Sequence, residues 1–151
     1  MTLLFATTRS TAIISPPLVS SLLAYHTLRP TSALTVDTSR HIAWLRAIGV
    51  ELQGYDEILN YLLQFPGMVN VLHVAVQAVR KHLADLPMKL AVYRDPEIDD
   101  RYLLLSVQAP AYTTAVAQGL AAAEAEFLPL LANEEGWLQL NAEIVELADV
   151  V

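Results

Sequence analysis

Apolar residues recur along this chain with two different periods, and the switch between them falls near its middle. From Val69 onward, Leu72, Val76, Val79, Leu83 and Leu86 follow at steps of three and four, the spacing that lines one helix face. Arg80, Lys81 and His82 fall near the end of this pattern, where cations complement the helix dipole, and Pro87 stops it. Upstream, Ile58, Leu59, Leu62 and Leu63 predict a helix over Tyr55–Phe65, broken by Pro66-Gly67. A shorter helix carries Ile42, Leu45 and Ile48, with capping residues at Asp37-Thr38-Ser39 and Gly49 just past its end. Ser15-Pro16-Pro17 predicts one more helix, Pro16 to Leu28, ended by Arg29-Pro30.

After Pro87 the period drops to two. Leu90 and Val92 alternate with Lys89, Ala91 and Tyr93, and Leu103, Leu105 and Val107 alternate with Tyr102, Leu104, Ser106 and Gln108. The acid- and proline-bearing stretch between them predicts a turn joining two antiparallel strands. A helix opening at Pro110 sets Val116, Leu120, Ala123, Phe127 and Leu131 on one stripe. Trp137 to Val145 alternates again and predicts a third strand. The expected fold is therefore α+β. A helical N-terminal half precedes a β-β-α-β unit forming a small, mainly antiparallel three-stranded sheet covered by helices. Residues 1–37 are expected to be a loosely attached segment with one helix, and 38–151 a single α+β domain.

Composition narrows the function more than the fold. Of 151 residues, 54% are apolar, too many for a disordered chain. No apolar run reaches the roughly 18 residues of a membrane span. Arg9 follows the first apolar stretch instead of preceding it, so that stretch does not read as a targeting signal and the chain is expected to be cytoplasmic. Absence of cysteine excludes disulfides, thiolate metal sites and a cysteine nucleophile. Charge is lopsided: Met1–Arg94 holds eight Lys/Arg against five Asp/Glu, whereas Asp95–Val151 holds Arg101 against eleven acids. With a net charge of −7 the chain lacks the basic character of a nucleic-acid binder. The acidic half suits a basic partner or serves solubility.

Few residues carry catalytic grammar. Asp95, Glu97, Asp99 and Asp100 cluster in the hairpin loop, and a metal-dependent hydrolase or nuclease could draw on them with Glu143 from the last strand. The glycine and distal glutamate of a calcium loop are missing, and the same acids fit a solvated turn in which Asp95 caps the chain before Pro96. His26, His41, His73 and His82 include no pair four apart on one helix and read as structural or surface residues. No Gly-x-Ser-x-Gly elbow or glycine-rich phosphate loop is present. No catalytic residue and no cofactor is therefore assigned.

Aromatic residues stand out more. Tyr93, Tyr102 and Trp137 fall on the strand faces opposite the aliphatic stripe, with Arg101 beside them and Tyr112 just beyond the second strand. Tyrosine, tryptophan and arginine are enriched where proteins meet. These five residues form either an interaction face for a protein partner or second copy, or cross-strand packing on an exposed sheet side.

The runs Gly54-Tyr55-Asp56-Glu57-Ile58, Asp95-Pro96-Glu97-Ile98-Asp99-Asp100-Arg101-Tyr102-Leu103 and Gly136-Trp137-Leu138-Gln139-Leu140 resemble a family of small, uncharacterised bacterial proteins. The resemblance covers about residues 49 to 145 and implies a domain but no activity. The function expected is a non-enzymatic interaction module, with the metal-dependent hydrolase as the alternative.

Overall fold

A computed structural model of the chain describes residues 33–146. The helix expected over Pro16–Leu28 lies outside the described residues. Backbone proximity divides the chain into Met1–Asp37 and Thr38–Val151, and the architecture below is that of the second unit.

Helix α1 occupies residues 33–47 and passes through Asp37-Thr38-Ser39 instead of starting there. Strand β1 (Glu51–Gln53) follows, then α2 (Tyr55–Gln64), α3 (Met68–His82), β2 (Met88–Arg94), β3 (Arg101–Ala109), α4 (Thr114–Leu131) and β4 (Leu138–Ile144). Helix α3 stops at His82 and not at Leu86, since Leu83 leaves helical geometry while its amide still bonds the Val79 carbonyl. Helix α4 starts at Thr114 because Thr113 Oγ1 accepts the Val116 amide at 3.2 Å, an N-cap that Pro110 cannot supply.

The sheet departs from the three-stranded, mainly antiparallel one expected. It has four strands in the order β1-β2-β3-β4, and only β2 and β3 pair antiparallel. β1 runs parallel to β2, and β4 runs parallel to β3. Two physical reasons account for the difference. β1 has three residues, with Leu52 between Glu51 and Gln53, too few to register as an alternation. β4 is reached through the 18-residue α4, and a long helical crossover brings a strand back in the same direction.

Every strand turns its aliphatic side toward one helical layer. Leu90, Leu103, Leu105 and Val107 are fully buried there with Leu138, against Ile58, Leu62, Leu72, Val76 and Phe127 from the helices. Each such side chain contributes about 1.5–3 kcal/mol on leaving water. Helices α3 and α4 pack directly on one another, and Lys81 and His82 both reach Glu126, at 3.1 and 2.8 Å. Gly119 permits the approach: a Cβ there would stand 2.5 Å from Leu83 Cδ2. Among the described residues no helix is long and apolar enough to cross a membrane.

Both parallel crossovers step the same way across the sheet, but β1 and β2 point opposite to β3 and β4. With α2, α3 and α4 sharing one layer, the two crossovers must have opposite hands. One of them is left-handed, against a strong general preference for right-handed connections.

Candidate functional site

The strand faces turned away from the aliphatic core carry the remaining side chains, and strand register lays these out in rows. Nearest the hairpin loop, Tyr93 stands directly opposite Tyr102, their ring centres 5.0 Å apart. Trp137 immediately precedes the Leu138 that pairs with Leu103, so it extends the Tyr93–Tyr102 row onto the fourth strand. Tyr93 is 41% exposed and Trp137 49%. The next row is Gln53, Ala91, Leu104 and Gln139, followed by Glu51, Lys89, Ser106 and Asn141.

Trp137 is fixed from behind. Tyr61, fully buried on α2, accepts the Trp137 amide at 2.9 Å and donates to the Trp137 carbonyl at 3.3 Å. Burial raises the Tyr61 phenol above its ordinary pKa, which keeps the proton needed for the second bond. Gly136 leaves room for this arrangement, since a Cβ there would meet Met68 Cγ at 2.6 Å. The Tyr102 phenol is also pushed up, first by desolvation and then by Tyr93, Asp95 and Asp100. The acids of the loop thus border the aromatic row electrostatically.

The expected face is only partly assembled. Tyr93 and Tyr102 meet, and register places Trp137 next in the same row. Arg101 does not join them: its neighbour Tyr102 occupies that face, and the guanidinium turns to Gln64 Oε1 at 2.6 Å. There it helps line a polar cleft of about 490 Å³ with Phe65, Arg94, Asp99, Asp100 and Glu135. Tyr112, 63% exposed, lies beyond the far end of β3 and is remote from the row.

The acidic loop and Glu143 are likewise separate. Asp95 Oδ1 is occupied in the turn, accepting the Glu97 amide at 2.8 Å and the Ile98 amide at 3.4 Å. Glu97, Asp99 and Asp100 are exposed. Glu143 pairs in register with Gln108, seven residues along β3 from Arg101, or about 23 Å at ~3.3 Å per residue. It instead binds Lys89 Nζ at 2.5 Å, across β3 and over the small Ser106. Among the described residues no group of three or more His, Cys, Asp or Glu side chains is arranged to hold a metal ion.

Two features have no local signature in the sequence. Lys89, Ser106, Asn141 and Glu143, with Gln53 and Leu104, line a shallow cavity of about 340 Å³ on the open face. It arises only because β1 and β4 flank the hairpin in this register. In the helical layer, the rings of His41, Trp44 and His73 cluster: His41 stacks on Trp44 with centroids 5.2 Å apart, and tilted contacts set Trp44–His73 at 4.6 Å and His41–His73 at 5.5 Å. Desolvation, then the neighbouring His73, lowers the His41 pKa to about 4. Thr38, His41 and Trp44 recur every three residues on α1, a sign that they share a face, but nothing in the sequence announces His73 opposite them.

The fold and this face define an α+β domain built on a four-stranded mixed sheet. No family model, no curated protein and no solved structure matches the chain.

Proposed function

We propose that the chain is a non-enzymatic protein-interaction module, working in the cytoplasm, whose contact surface is the open side of the sheet. One observation carries this reading: strand register aligns Tyr93, Tyr102 and Trp137 in one row, with the Tyr93 and Tyr102 ring centres 5.0 Å apart and Tyr93 and Trp137 41% and 49% exposed. Aromatic area of this kind, held rigidly by Tyr61, loses little conformational freedom when covered. The acids beside Tyr102 and the strongly acidic C-terminal half favour a partner that presents basic side chains around an apolar centre.

The test is native mass spectrometry of the chain purified gently from its own source, compared with a Tyr93→Ala/Trp137→Ala double variant. The expected result is a discrete second protein bound to the wild type and lost from the variant. A monomer without bound protein, or a partner retained by the variant, overturns the reading. A dimer that dissociates in the variant would make the partner a second copy of the chain.

A further inference from the structure

Buried polar atoms in folded proteins are almost always hydrogen-bonded, so the exceptions are informative. Among the described residues three buried side-chain polar atoms have no partner within the protein: Thr38 Oγ1, His41 Nε2 and Asn141 Oδ1. Two of the three stand one helical turn apart on α1, and Thr38 is only 1% exposed. Facing His41 from α3 is His73, whose ring centre is 5.5 Å from that of His41.

That spacing has a chemical meaning. An imidazole nitrogen binds a first-row dication at about 2.0–2.1 Å, placing the ion ~3.2 Å from the ring centre, so two imidazoles on a tetrahedral ion have centres ~5.2 Å apart. Imidazole suits zinc, nickel and copper, whereas magnesium and calcium prefer oxygen. We infer that His41 and His73 form a two-histidine site for a first-row transition-metal dication, bridging α1 and α3, with the Thr38 hydroxyl beside it and water completing the coordination. This site lies in the helical layer, and it stands or falls independently of the aromatic face.

Trp44 provides the readout. Its ring centre lies 5.2 Å from that of His41 and 4.6 Å from that of His73, and the chain has one other tryptophan, Trp137. Tag-free full-length chain carrying Trp137→Phe is stripped with EDTA, desalted and titrated with copper(II) or nickel(II) at neutral pH. Trp44 fluorescence should be quenched saturably at one equivalent and recover on adding EDTA. His41→Gln and His73→Gln should each weaken binding by about tenfold or more, while His82→Gln leaves it unchanged. Non-saturating quenching, or equal affinity in either His41→Gln or His73→Gln, overturns the site. Because a core variant can fail to fold, the unsubstituted chain provides a second measurement. Zinc should raise its Tm where magnesium does not, and the absence of a zinc-specific rise also overturns the site.

Discussion

The Tyr61 hydroxyl clasps the backbone of Trp137 from both sides, taking its amide at 2.9 Å and giving its own proton to its carbonyl at 3.3 Å. A helix in the core thereby sets where an exposed tryptophan enters the sheet. Tyr61→Phe keeps the ring packing and removes both bonds. The Trp137 carbonyl retains the Leu103 amide at 3.0 Å, but its own amide loses the acceptor. A loss of about 1–3 kcal/mol is expected in urea denaturation, together with weaker partner binding at unchanged helix content.

Acid should destabilise the protein partly through His41. Its pKa is 6.5 when unfolded and about 4 when folded, so between those values the unfolded chain takes a proton that the folded chain refuses. The favourable effect of a neutral His41 is complete above pH 6.5 and is lost as pH falls toward about 4. Urea midpoints in EDTA for wild type and His41→Gln, measured from pH 7 to 4, should show a shallower decline in the variant. Parallel declines would contradict the expectation.

Gly119→Ala sets two effects against each other. Alanine favours the helix by about 1 kcal/mol, but its methyl would press on Leu83 at 2.5 Å and approach the His82 carbonyl at 3.3 Å. The overlap reaches Leu83 Cγ at 2.7 Å and not only a flexible tip, so it dominates. A net destabilisation of about 1–3 kcal/mol by urea titration is expected.

On the open face, Glu143→Gln removes the partner of Lys89, whose side chain is only 17% exposed. The expected cost is about 1–2 kcal/mol, between the values for exposed and buried pairs. Adding Lys89→Met should recover much of it, because the double variant leaves no unpaired ammonium. A double variant as unstable as Glu143→Gln alone would show that the pair is not the source.

What could be read from the sequence follows from the range over which each residue acts. The helical stripes of α2, α3 and α4, and the alternation in β2, β3 and β4, are local patterns, and all six elements are found. The aromatic row was legible for the same reason, since alternation alone puts Tyr93, Tyr102 and Trp137 on one side. Strand direction was not, because it depends on how α4 returns the chain. Arg101 adjoins Tyr102 in sequence but turns to Gln64, and Tyr112 lies past the end of β3, because nearness along a strand is not nearness on a face. Charge alone groups Glu143 with the loop acids, whereas register sets it beside Lys89. The His41–His73 pair joins residues on separate helices, so no spacing rule could reveal it.

Two crossovers of opposite hand also bear on the order in which the chain assembles. A right-handed connection follows from the twist of its own strand, whereas a left-handed one must be imposed by a surface already in place. Only the β2–β3 hairpin joins consecutive strands through a short loop and needs neither device. It is the natural starting template, with β1 and β4 recruited to its two outer edges across the long α2–α3 and α4 connections. The Tyr93–Tyr102 pair would then belong to the earliest structure formed, and its substitution should slow folding more than it speeds unfolding.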